Sequence, residues 1–132
     1  VQERQREVTA VYTLDALQVS CGDPLVPTAT ATITDEVGAT HVVCATGSGP
    51  VDAAYKAIDK VVAVHGDLAE FSVKAISRGI DAIGEVTVRV AAEDGNVFTG
   101  RGADNDIIVS SAKAYVNAIN RMIQTARAKS GK

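Results

Sequence analysis

Gly47-Ser48-Gly49-Pro50-Val51-Asp52 decides how the chain is read. Before it, His41 to Thr46 is a β-branched, alternating stretch that predicts a strand. After it, Val51, Ala54, Tyr55, Ile58, Val61 and Val62 follow helical spacing. Pro50 suits the first helical position, where its missing N–H has no intrahelical partner to lose. Ser48 or Gly49 can cap, and Asp52 favours the positive end of the helix. Gly66 is the expected end of that helix. Working upstream, Tyr12, Leu14, Leu17, Val19 and Cys21 have roughly period two, with a slip near Ala16, and predict a strand. Gly22-Asp23-Pro24 breaks it. Thr28 to Thr34 predicts a second strand, and the short Glu36-Val37-Gly38 link predicts a hairpin into the third.

Downstream the order repeats. Phe71, Val73 and Ala75 alternate, as do Glu85 to Val90, with three valines on one face. Asp94-Gly95-Asn96 is a turn, and Val97-Phe98-Thr99 starts another strand. Gly100-Arg101-Gly102 and the capping run Asp104-Asn105-Asp106 lead to a helix striped by Ile108, Ala112, Tyr115, Ile119, Met122 and Ile123. The two helices echo one another, Ala54-Tyr55-Lys56-Ala57-Ile58 against Ala114-Tyr115-Val116-Asn117-Ala118-Ile119. The expectation is an α+β fold of two βββα units related by a pseudo-twofold, with antiparallel sheets packed on helices. Either half alone is too small to bury both faces of its elements. Residues 1–10 are polar and read as a linker remnant. A domain over 11–127, with halves at about 11–66 and 67–127, precedes a tail at 128–132.

Composition narrows the function. The chain has 132 residues, 46% hydrophobic, 4% aromatic and without Trp, so small aliphatic side chains must fill the core. That length is about half of what a β/α barrel needs, roughly 250 residues. A net charge of -3 argues against a general nucleic-acid surface, and Arg127, Lys129 and Lys132 read as a solvated tail. No apolar run approaches the roughly 20 residues of a membrane span, and no leader segment is expected. Cys21 and Cys44 make no disulfide framework and read as small, reduced core residues of a cytoplasmic protein. His41 and Cys44 are three apart on a strand and point to opposite faces, so no nucleophile–base couple is expected. No metal site is expected either, because Asp104 and Asp106 are better explained as caps. Gly47-x-Gly49 and Gly100-x-Gly102 lack the third glycine of a dinucleotide fingerprint, and no P-loop follows them. Sharp turning explains both pairs, and a small carboxylate ligand at a helix start is the sharper alternative.

Gly79-Ile80-Asp81-Ala82-Ile83-Gly84-Glu85-Val86, then Gly100 to Ile107, then Ser110 to Asn120 resemble motifs of the C-terminal regulatory domain of the 2-isopropylmalate synthase family. Gly47 to Ala54 is similar to that family's loop and helix start. The resemblance runs from about Tyr12 to Met122, with the motifs in order, and citramalate synthases share the domain. It implies a fold of two βββα units and no catalytic residue in this chain. It also implies pairing into a homodimer and leucine as the effector, with isoleucine as the alternative; a purely structural pairing module is the different-class alternative. Catalysis would belong to an absent N-terminal barrel, which takes a divalent metal and condenses acetyl-CoA with 3-methyl-2-oxobutanoate. The implied effector pocket comprises Gly47, Ser48, Gly49, Val51 and Asp52, with Leu68, Phe71 and Ala75 on the next strand. Ala82, Gly84 and Ala103 complete it, and Asp81 is a candidate partner for the effector's ammonium. Phe71 stands where the family often has Tyr, which removes a hydroxyl.

Overall fold

The structure is a computed structural model that describes residues 11–20, 26–62, 66–75 and 83–130. The strands are β1 (Thr13–Ser20), β2 (Thr28–Thr34) and β3 (Thr40–Thr46), followed by helix α1 (Pro50–Asp59). Then come β4 (Asp67–Ala75), β5 (Gly84–Ala91), β6 (Val97–Asp104) and helix α2 (Ile107–Ser130). Each trio of strands makes its own antiparallel sheet, in the orders β1-β2-β3 and β4-β5-β6. The duplicated βββα reading therefore stands. The alternation slip near Ala16 is a β-bulge, where the β1–β2 register shifts between Leu14 and Ala16.

The two hairpins show the duplication in atomic detail. Asp35 N–H donates to Ala39 O at 2.9 Å, and Ala92 N–H donates to Asn96 O at 2.8 Å. Gly38 N–H donates to Asp35 O and Gly95 N–H to Ala92 O, each at 3.0 Å. Gly38 and Gly95 both have φ of 91°, a left-handed conformation that glycine adopts without a Cβ penalty.

Alternation places Ala29, Ala31 and Ile33 of β2, and Val86, Val88 and Val90 of β5, wholly inside. Each fully buried Val or Ile side chain contributes roughly 1.5–3 kcal/mol, and each alanine methyl about 0.8 kcal/mol. α1 covers β2 and β3, and α2 covers β5 and β6. The helices meet where the sequence echo predicts equivalent positions. Tyr55 and Tyr115 stack with ring centroids 4.3 Å apart and planes 15° apart, and Tyr115 Oη donates to Asp59 at 2.5 Å. Burial pushes both phenol pKa values up, and for Tyr115 the Asp59 carboxylate adds to the rise.

Gly100-Arg101-Gly102 is not a turn into the helix. It lies inside β6, which continues to Asp104, and α2 is pressed directly on it. A Cβ on Gly100 would sit 2.0 Å from Ala114 O, and one on Gly102 would sit 2.4 Å from Ser110 O. These glycines exist to admit a helix backbone. Cys44 is exposed rather than in the core, because odd and even positions of β3 point to opposite faces and Cys44 takes the outer one; Cys21 lies outside the described residues. α1 ends at Asp59, short of Gly66, although Val62 remains buried beyond it.

The two helices differ in length. α2 continues fifteen residues past Tyr115 to Ser130, whereas α1 stops four past Tyr55. The extra turns reach the first sheet. Asn120 Oδ1 accepts from Tyr12 N–H and Asn120 Nδ2 donates to Tyr12 O, both at 2.9 Å, and Arg127 makes a bidentate pair with Glu36 at 2.7 and 2.8 Å. α1 has no such extension over β4. Gly100→Ala is expected to lower unfolding stability by about 1–3 kcal/mol, since the helix must move to admit the methyl group. Urea denaturation against wild type measures it.

Candidate functional site

The implied pocket residues fall into three places. The first is the start of α1. Gly49 is the N-cap residue, extended and without a side chain to cap, and Pro50 is the first helical residue. Asp52 bends back so that Oδ2 accepts from Ser48 N–H at 2.9 Å and from Lys56 Nζ at 3.1 Å. The Ser48 hydrogen bond and Lys56 together hold the Asp52 carboxyl below its ordinary pKa. This fixes the turn by tying the N–H of the residue before the N-cap back to the first helical turn. No described group accepts from the N–H groups of Gly49, Val51 and Asp52 itself.

The two glycines of this turn have different duties. A Cβ on Gly47 would lie 2.5 Å from Ala53 N, so Gly47 is required for the chain to pass the helix. A Cβ on Gly49 would meet nothing within 4 Å. Gly49 therefore leaves open space above the helix start. Space beside free N–H groups at a positive helix end suits a carboxylate.

The second place is β4. Leu68, Phe71, Val73 and Ala75 pair with Val90, Val88, Val86 and Gly84 of β5. They therefore share the face that β5 turns to the core. Yet β4 is exposed at every residue, with Leu68, Phe71 and Val73 exposed by 45%, 38% and 49%. β4 packs chiefly against β5, whereas α2 covers β5 and β6. Gly84, at the end of this row, is filled from the other side: a Cβ there would meet Ile107 Cδ1 at 2.1 Å, and its carbonyl accepts from the buried Ser110 Oγ at 2.9 Å. Gly84 thus seats α2 rather than facing open space. Asp81 and Ala82 lie outside the described residues.

The third place is Ala103, which faces away from the core opposite Glu85. It lines a cavity of about 340 Å³ between the start of β1 and the end of β6, with Lys113, Val116, Asn117 and Asn120 from α2. Sequence reading missed these asparagines. For Asn120 the signal is polarity inside an apolar helical stripe, where it is 5% exposed, whereas Asn117 lies on the exposed face. Asp104 and Asp106 act as caps. Asp106 Oδ1 accepts from Ile108 N–H at 2.8 Å, Asp104 Oδ1 accepts from Asp106 N–H at 3.0 Å, and Asp104 Oδ2 pairs with Lys113 at 3.1 Å. His41 Nε2 lies 2.9 Å from Asp35 Oδ2, a hydrogen bond at the hairpin. Among the described residues, no group of three or more His, Cys, Asp or Glu could hold a metal ion. No described helix is long and apolar enough to cross a membrane.

Residues 1–123 match the model of the LeuA allosteric (dimerisation) domain. The chain belongs to that family. It is 75% identical over all 132 residues to a protein of Olsenella uli named 2-isopropylmalate synthase, of which it covers 26%. Proteins of the same name from Gloeobacter violaceus and Prochlorococcus marinus are each 48% identical over 92% and 93% of the chain. The chain covers 22% and 23% of those two. It thus spans about a quarter of the length of the curated relatives it matches, in keeping with a regulatory domain rather than a whole enzyme.

The contrast between the glycines is testable. Gly47→Ala is expected to cost about 1–3 kcal/mol by overpacking, while Gly49→Ala stays within about 0.5 kcal/mol, as substitutions into open surface space do; thermal unfolding of both separates them. On acidification, Asp52 contributes its stabilisation above the unfolded carboxylate pKa. That contribution is lost as pH falls through the lower folded value. Asp52→Asn should flatten this limb of the pH–stability curve, measured by circular dichroism from pH 6 to 2.

Proposed function

We propose that the chain is the leucine-responsive regulatory and dimerisation domain of a 2-isopropylmalate synthase, with no catalysis of its own. The observation that carries this is membership of the allosteric domain family, joined to 75% identity with a protein of that name. In the whole protein, an acyltransfer barrel outside this chain would hold the divalent metal and bind acetyl-CoA. The name carried by these relatives favours leucine over the isoleucine of citramalate synthases.

The chemistry of the sites supports an amino-acid effector. The α1 start offers N–H donors and open space at Gly49 for a carboxylate. The row Leu68, Phe71 and Ala75 offers an apolar wall for a branched tail. Phe71 gives this wall no hydroxyl, so recognition there is by shape and apolar contact. These two parts belong to different βββα units. Their union is proposed to occur when two copies pair, so that the effector biases the paired arrangement by binding one arrangement better than another.

Titration calorimetry with leucine and isoleucine tests the reading. Leucine is expected to bind, and more tightly than isoleucine by a factor within the roughly 10–200-fold that one methyl position can supply. Gly49→Asp is expected to weaken leucine at least about tenfold through charge repulsion, a change of about 1.4 kcal/mol. It should leave the melting temperature at or above wild type, because Asp is a good N-cap. Unchanged leucine affinity in that variant would remove the α1 start from the site. Binding of neither amino acid would leave the structural pairing module as the surviving reading.

A further inference from the structure

We propose that β4 is the self-association edge of this domain, pairing antiparallel with β4 of a second copy about a twofold axis at Ser72. The inference deepens the dimer reading above and assigns it a surface and a register.

The first support is the asymmetry of the fold. β1 and β4 hold equivalent places in the two sheets, each at the edge beside the central strand. The chain entering β1 is held at Tyr12 by Asn120 of α2. β4 is left bare by the shorter α1 and is exposed at all nine residues. An edge strand that carries apolar residues on its core-side face is a ready template for another strand.

The second support is charge and shape complementarity of β4 with itself. In an isologous pair, residue i meets j and j meets i. Keeping the apolar face on one side requires odd positions to meet odd ones. With the axis at Ser72, Phe71 meets the partner's Val73, and Glu70 meets the partner's Lys74. The neighbouring strand extends both rows. Glu70 already pairs with Arg89 at 3.3 Å, and Lys74 stands opposite Glu85 in the β4–β5 register. The outer face then reads Arg89, Glu70, the partner's Lys74, the partner's Glu85, with charges alternating at every step. The inner face reads Val88, Phe71, the partner's Val73, the partner's Val86, apolar throughout. Moving the axis to Phe71 places Glu70 opposite the partner's Ser72, and moving it to Val73 places Lys74 there. Both lose the charge pairs. Opposite charges and apolar partners facing across antiparallel strands are each stabilising. The result is one continuous six-stranded sheet.

The test is analytical ultracentrifugation of the chain with Cys21→Ser and Cys44→Ser, so that engineered thiols are alone. Val73→Arg is expected to raise the dimer dissociation constant at least about tenfold. At a concentration where both proteins are monomeric it should not lower the melting temperature, since Val73 is half exposed in the single chain. Ser72→Cys is expected to give a covalent dimer on mild oxidation or with a short bis-maleimide, whereas Gln18→Cys on the exposed face of β1 gives none. A dimer that survives Val73→Arg and is not linked through position 72 overturns the β4 surface while leaving the dimer reading intact. A chain that is monomeric at every concentration overturns both.

Discussion

Everything in this fold depends on how closely α2 lies on β6. Gly100 and Gly102 bring the helix backbone to where a Cβ would clash at 2.0 and 2.4 Å. That seat fixes the line of a 24-residue helix. A helix of this length spans about 36 Å at 1.5 Å per residue. It covers its own sheet with the stripe Ala114, Ala118 and Ile119, then runs on to tie the other sheet through Asn120 and Arg127. One helix therefore joins two units that are otherwise separate sheets. The Tyr55–Tyr115 stack between the helices adds a contact worth about 0.5–1.5 kcal/mol beyond its area.

The same helix makes the two units unequal. Duplicated hairpins and equivalent tyrosines show a common plan. Yet the edge strand beside α2's long end is held, and the edge strand beside α1's short end is not. Apolar side chains on β4 that share a face with the Val86, Val88 and Val90 core are left in water. Their partial exposure has an unfavourable cost that the single chain does not relieve. In a family whose description includes dimerisation, an unequal pair of repeats supplies a reason for association. The uncovered edge at β4 follows from the same length difference that lets α2 reach the first sheet.

Most of the fold was legible because its signals are local and periodic. Thr28–Thr34 and the three β5 valines read as strands, Pro50 as a helix start, and Gly38 and Gly95 as turn glycines. Each follows from backbone stereochemistry or period-two burial. What was not legible is what depends on a distant partner. Gly100-x-Gly102 resembles a turn in sequence, but its glycines answer to Ala114 and Ser110, a helix away. Cys44 reads as a small apolar residue, and only the facing of β3 decides that it is exposed. The candidate site was partly legible for the same reason. Gly47 and Gly49 look alike in sequence and separate only when the path of α1 shows which of them has room. Gly84 came from resemblance, and its contact with Ile107 and Ser110 gives it a packing role.

The division of the candidate site between two units has a thermodynamic consequence. If the carboxylate-binding helix start and the apolar β4 wall are joined only in a pair of chains, effector binding and association are linked equilibria. Each must then strengthen the other by the same factor. A site complete within one chain would impose such a link only through a conformational change that reaches the pairing surface. The bare β4 face and the open turn at Gly49 are therefore more informative together than apart. Each is an incomplete surface, and an allosteric domain needs surfaces that only one of its arrangements completes.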